Sequence, residues 1–201
     1  MSKRNAILVA ATQLFARNGF QGTSMAELAK LTGAARGTIF HHFKNKEDLF
    51  LNILNNVKED ILSAVRHHKE TTCYDNGLEM VEGVVTFYLN LVGENENQFL
   101  LLHRHYPYQM AETNTAFRSY LESVYNCLLD IFEEGIAIGI SDGSINVSSP
   151  RNTAMVLFAM VDGVARFNTY NLYQAGSLYQ DLISSCKNIL APENQRPLTN
   201  G

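Results

Sequence analysis

The chain lacks the features that mark several functional classes. No run of 18 apolar residues occurs in the sequence, so nothing in it spans a membrane as a helix. The first twenty residues, MSKRNAILVAATQLFARNGF, are amphipathic, with charged and polar side chains throughout. They lack the uninterrupted apolar core of a signal peptide, so the cytoplasm is the expected compartment. Three cysteines, Cys73, Cys127 and Cys186, lie far apart with no CxxC pair and no metal-ligand spacing. They read as reduced structural thiols; a redox sensor, the alternative, needs a lowered thiol pKa. The sequence holds no nucleophile elbow, P-loop, zincin helix or dinucleotide-binding glycine fingerprint, which weighs against an enzyme. Nor does it hold a repeat, a clear strand pattern or a low-complexity segment. Two histidine groups invite a metal reading, His67–His68 and His103–His105. Residues two apart on a helix point about 200° away from each other, and adjacent ones also diverge, so neither group suits one metal ion. No metal and no cofactor is expected.

What remains is a globular helical chain. Apolar residues make up 46% of it, enough for a substantial core. The net charge of −4 is unevenly spread: residues 1–50 carry seven Lys/Arg and three acids, giving +4, and the rest carry nine and seventeen, giving −8. A basic head on an acidic body suits a polyanion docked at one end, although ordinary surface variation gives the same asymmetry.

The basic head holds the most informative stretch, Ser24 to Lys46, SMAELAKLTGAARGTIFHHFKNK. Ser24-x-x-Glu27 is a capping-box pattern that starts a helix. Met25, Leu28 and Ala29 follow at helical spacing. Gly33 interrupts, and a second short helix spans roughly Ala35 to His42. Two short helices split by a glycine-containing turn form a helix-turn-helix, whose second helix enters the DNA major groove by its N-terminal end. Ala34, Ala35, Arg36, Gly37 and Thr38 occupy that end. The small residues permit close approach, and Arg36 can reach a phosphate or a guanine edge.

Helical spacing accounts for the rest. A first helix, about Lys3 to Asn18, is capped by Gly19. Asn45 caps a fourth that runs to about Lys69 with a continuous apolar stripe from Phe50 to His68. The segment from Glu70 to Gly77 reads as a loop. Further helices are expected over about Leu78–Val92, Gln98–His105 (ending before Pro107), Thr113–Ile136 or a little beyond, Pro150–Tyr173 and Ser177–Leu190. The expected fold is all-α, with domains at 1–46 (three-helix helix-turn-helix) and 47–191 (six helices, ligand-binding and dimerisation), then a disordered tail at 192–201.

The first helix together with GFQGTSMAELAKLTGAARGTIFHHFKNKEDLF resembles the tetracycline-repressor (TetR/AcrR) family of bacterial regulators over about residues 4–54. The resemblance is carried by LFA-x-x-GF, T-S-x-x-x-[LI]-A, G-A-x-x-G-T-[IL] and H-F-K-x-K-E-x-L. It implies base and backbone contacts at Arg36, Gly37 and Thr38, with Ala35 beside them, and phosphate contacts at His41, Lys46 and Thr23 or Ser24. The family usually has tyrosine at position 40, where this chain has Phe40. A hydroxyl contact to phosphate is therefore missing, and Phe40 is left to pack on sugar or to seat the helix.

The resulting expectation is a ligand-responsive, sequence-specific regulator, a repressor released from its operator by a small-molecule effector. Its partners are double-stranded DNA with a palindromic operator, an unknown effector, and a second copy paired through the eighth and ninth expected helices. Small residues Ala154, Ala159 and Gly163 would permit close approach there. Bundles bind ligands between helices, and the candidate effector residues are Phe87, Tyr88, His103, Tyr106, Tyr120, Tyr125, Asp162 and Arg166. Asp162 and Arg166, four apart, have the plainer alternative of pairing with each other. The competing reading is a helical small-molecule-binding protein or enzyme with no DNA role.

Overall fold

The computed structural model describes residues 2–191, and the expected tail at 192–201 lies outside the described residues. The regular elements among the described residues are α1 (Lys3–Asn18), α2 (Met25–Thr32), α3 (Arg36–His42), α4 (Lys46–Thr71), α5 (Gly77–Glu94), α6 (Glu96–Leu102), α7 (His105–Thr113), α8 (Thr115–Asp142), α9 (Pro150–Thr169) and α10 (Tyr179–Leu190). The protein is all-α, with the helix-turn-helix at its N-terminal end.

The caps explain most boundaries. Ser24 Oγ accepts the Glu27 N–H at 3.0 Å and starts α2. The return arm of the expected capping box is replaced, because the Glu27 carboxylate accepts from Asn18 Nδ2 instead. Gly33 ends α2 at φ 64°, a left-handed position that a side chain adopts only under strain. Asn45 Oδ1 accepts the Asp48 N–H at 2.7 Å, and Asp48 Oδ2 accepts the Lys44 N–H at 2.8 Å, which closes both sides of the start of α4.

Helices fold into two compact units that do not follow the chain in order. The first takes in the chain to Leu62 together with Asn95–Val124; the second takes in Ser63–Glu94 and the chain from Tyr125. In the first, Ile7, Phe15, Leu28, Ile39, Phe43, Leu49, Phe50 and Ile53 are almost wholly buried. The α6–α7 corner closes over them. Arg104 Nη2 donates to Ala16 O and Arg17 O at 2.7 Å each, and Nε to Ala16 O at 3.1 Å. These are carbonyls of the last turn of α1, which have no partner within their own helix.

In the second unit, Val81, Val85, Leu128, Phe132, Leu157, Val161, Leu182 and Cys186 form the core. Gly77 meets the backbone of Gly139 so closely that no Cβ fits between α5 and α8. Arg151 on α9 binds Asp130 at 2.6 Å and Glu133 at 2.8 Å on α8. Burial pushes the Cys186 thiol up to about 11, and burial with Asp130 nearby raises Cys127. Both are protonated thiols rather than sensor thiolates.

The helix count differs from the expectation between 98 and 115. The expected helix ending near His105 stops at Leu102, and a separate α7 begins at His105. Pro107 sits in the first turn of α7, where a proline's missing N–H has no intrahelical partner to lose. The proline marks a helix start rather than a stop. At its C-terminal end, α9 stops at Thr169 instead of continuing to Tyr173. Asn171, Tyr173 and Gln174 all take φ near 50°, and a 3-10 turn at Ala175–Leu178 leads into α10. Leu172 N donates to Phe167 O at 2.8 Å, and the Tyr173 ring meets Phe167 edge-on at 5.4 Å.

The aromatic cluster below α7 supplies a stability test. Tyr106 stacks on Phe20 at 3.6 Å and meets Phe50 edge-on at 5.1 Å. Burial, with Glu47 nearby, pushes its phenol up to about 12. Tyr106→Ala should cost about 2–3 kcal/mol in urea unfolding, while Tyr106→Phe should cost less than about 1 kcal/mol.

Candidate nucleic-acid interface and effector residues

The second helix of the helix-turn-helix has two distinct sides. Ile39 is fully buried, and Phe43, which caps the end of α3, is 1% exposed; together they anchor the helix to the unit's core. Arg36, Gly37, Phe40 and His41 are exposed at helical spacing on the outer side, with Ala35 exposed before them and Thr38 half-buried. Phe40 keeps 45% of its surface in solvent. The N-cap, Ala35, makes no side-chain cap bond, since alanine has no oxygen to give, so first-turn N–H groups remain for another acceptor. At Gly37 a Cβ would meet no atom within 4 Å. Neither internal packing nor a left-handed backbone demands glycine there.

Two of the residues flanking this face, Thr23 and Lys46, are committed inward. Lys46 Nζ donates to Phe20 O at 2.8 Å and Thr23 O at 3.1 Å, and lies 4.2 Å from the Phe20 ring centre. Its ammonium ties the first turn of α4 to the turn before α2 and has one N–H left over. Thr23 is 3% exposed, and its hydroxyl donates to Gly19 O at 2.9 Å. Ser24 is exposed, and its oxygen caps α2 while its own proton remains free to donate. Of the expected phosphate contacts, His41 and Ser24 face outward, whereas Thr23 and Lys46 serve the fold.

The candidate effector residues are dispersed. In the second unit, Tyr88 OH donates to Asp162 Oδ1 at 2.5 Å. Tyr88 and Tyr125 both meet the Phe158 ring edge-on, at 5.4 and 6.1 Å. Arg166 lies 4.0 Å from Asp162, so the phenol is the carboxylate's nearer partner. Phe87 belongs elsewhere in the same unit, stacked on His68 at 4.2 Å. In the first unit, Tyr106 is absorbed into the aromatic cluster with Phe20 and Phe50, and Tyr120 lies under the Lys58 ammonium at 5.1 Å. His103 is buried and follows α6 as its cap.

A family profile described as "Bacterial regulatory proteins, tetR family" matches residues 7–53, the span from α1 into α4. Over residues 7–53 the chain is similar to that family. Among relatives, QacR of Staphylococcus aureus is 44% identical over 55 residues, 27% of this chain and 29% of its own length. The chain thus matches well under two thirds of that relative. The structure of FadR from Bacillus subtilis in complex with stearoyl-CoA superposes with a TM-score of 0.72 at 19% identity, covering 92% of this chain and 98% of that one. A transcriptional regulator from Saccharomonospora viridis in complex with choline gives 0.80 at 19% identity, covering 94% and 98%. At these identities the likeness concerns the fold.

One feature of the second unit is absent from the sequence expectations. A groove of about 550 Å³ runs along the last turns of α4 and one face of α5, lined in part by His68, Thr71, Tyr74, Phe87, Asn90 and Glu94. Only Phe87 of these was a candidate. A signal existed: the inward stripe of α5 leaves Gly83, Phe87, Asn90 and Glu94 on another face, with one aromatic among small and polar residues.

Lys46 distinguishes its two roles by stability. Lys46→Ala should cost about 1–2 kcal/mol in thermal or urea unfolding, because it removes two charged hydrogen bonds to carbonyls. A lysine serving phosphate alone would leave the DNA-free protein's stability unchanged.

Proposed function

We propose that the protein is a cytoplasmic, ligand-responsive, sequence-specific DNA-binding regulator, a repressor released from a palindromic operator by a small molecule. The observation that carries this reading is the outer face of α3, where Arg36, Gly37, Phe40 and His41 stand exposed over the buried Ile39. An α-helix fits the major groove, and this one presents a forked cation, a glycine that its own packing does not require, and an apolar ring. Arg36 reads a base edge or grips phosphate. Gly37 lets the backbone approach. His41, the Ser24 hydroxyl and the uncapped first turn of α3 supply phosphate contacts that set the register.

One seven-residue recognition helix reads few base pairs, so two copies on a palindrome are needed for specificity. The apolar surface for pairing is present on α9, where Met155 and Val156 are 52% and 55% exposed. Ala159 is exposed, and nothing lies within 4 Å of a Cβ placed on Gly163. Ala154 is fully buried and takes no part. Together with α10, this face would make a four-helix interface between copies.

Effector response is supported by relatives of the same fold recorded with ligands as unlike as stearoyl-CoA and choline. In this chain the link is α4, a single 26-residue helix that starts at Lys46, beside the DNA-facing turn, and ends at Thr71, beside the α4–α5 groove. A ligand repositions it only if it binds the DNA-competent and released states with different affinity.

Fluorescence anisotropy with DNA flanking the protein's own gene tests the reading. Affinity should fall by on the order of 10³-fold between about 50 and 200 mM salt if six or more phosphates are contacted. Salt-independent or absent binding would refute it. Arg36→Ala should cost about 1–3 kcal/mol; relaxed preference at one base pair assigns base readout, and a uniform loss assigns phosphate. For the dimer, Val156→Glu should shift the species in multi-angle light scattering from about twice the chain mass to one chain, because a charge replaces an apolar contact.

A further inference from the structure

The groove along α4 and α5 has a chemical character that the regulator reading does not supply. Its floor is aromatic. Phe87 stacks on His68 at 4.2 Å, and Tyr74 OH lies 2.9 Å from His68 Nε2. The Tyr74 ring is seated on α5 at Gly83, where any Cβ would collide with it. Burial lowers the His68 pKa, which favours a neutral ring, and raises that of Tyr74. The pair forms a partition, because His68 and Tyr74 also line an adjoining cavity of about 260 Å³.

The charges around both spaces are almost all of one sign. The groove's lining holds Glu94 and no Lys or Arg. The adjoining cavity adds Asp75, Glu134 and Asp142 against Lys69, whose ammonium is already bound to Glu134 at 2.5 Å. Backbone dipoles add to this. The groove includes the last turns of both α4 and α5, the ends at which helix carbonyls lack partners and partial negative charge collects. An anion entering here meets Glu94 and carbonyl oxygens with no cation to receive it. A cation meets a carboxylate, carbonyl dipoles and aromatic faces.

We propose that this groove binds an organic cation with an apolar body, of the aryl-substituted quaternary ammonium class. The aromatic part lies against Phe87 and Tyr74, and the ammonium lies toward Glu94 and Asn90. Binding is a property of the protein alone. That it releases DNA rests on the regulator reading.

Isothermal titration of the full chain at pH 8 and low salt, with benzyltriethylammonium and with benzylsulfonate, tests the proposal. The cation should bind at least about tenfold more tightly than the sulfonate. Glu94→Gln, an exposed substitution, should weaken the cation by about three- to fivefold and leave the sulfonate no worse. Thr86→Trp, on the same face of α5, should fill the groove and abolish binding with an unchanged circular-dichroism spectrum; if that variant misfolds, Glu94→Gln still decides. Equal or tighter binding of the sulfonate, no heat with the cation, or a cation affinity unchanged in Glu94→Gln would overturn the proposal. DNA anisotropy on the same preparation separates the two readings. DNA binding without a cation preference sinks the groove alone, and cation binding without DNA binding sinks the regulator alone.

Discussion

The ammonium group of Lys46 holds the start of α4 to the turn between α1 and α2. Two carbonyls, of Phe20 and Thr23, receive it, and the Phe20 ring lies beneath it. The placement of α3 depends on this tie, because α3 is only seven residues long and is joined to α4 by three more. A helix of that length has little stability of its own and takes its position from what it packs against. The same Phe20 ring is stacked by Tyr106, and Arg104 receives the end of α1. The first unit is therefore closed at one corner by a lysine, an arginine and two aromatic rings drawn from segments some ninety residues apart in sequence.

The parts legible in the sequence are those written in local chemistry. Ser24, Gly33 and Asn45 mark helix ends by oxygens and by a left-handed turn, and each does so in the structure. Arg36, Gly37, Phe40 and His41, singled out by their place at the start of the second helix or by the family resemblance, stand exposed on α3 opposite the buried Ile39. Long-range commitments were not legible. Nothing local distinguishes a lysine aimed at phosphate from one folded onto carbonyls 23 and 26 residues away. Pro107 was misread because a proline suits the first turn of a helix as well as the residues after one. Tyr106 was taken for a pocket residue because aromatic residues line pockets and fill cores alike.

Polar chemistry in the second unit divides between two places. Tyr88 and Asp162 satisfy each other at 2.5 Å and brace α5 against α9. A carboxylate already met by a phenol and approached by a guanidinium is an ordinary structural device for an interior helix pair. The groove between α4 and α5 differs, since its carboxylate is exposed and its aromatic floor is half-buried. The sequence concealed this contrast because both sets mix tyrosine, phenylalanine and acids at helical spacing.

The link from α9 to α10 has a mechanical consequence. Three non-glycine residues, Asn171, Tyr173 and Gln174, hold left-handed backbone angles there, each at a cost of about 1–3 kcal/mol. They are kept in place by the Leu172 N–H on Phe167 O and by Tyr173 against Phe167. The strain in these torsions is offset by these two contacts, on the exposed side of the joint. Before α10 can turn about the end of α9, the Leu172 hydrogen bond and the Tyr173–Phe167 contact must both be given up.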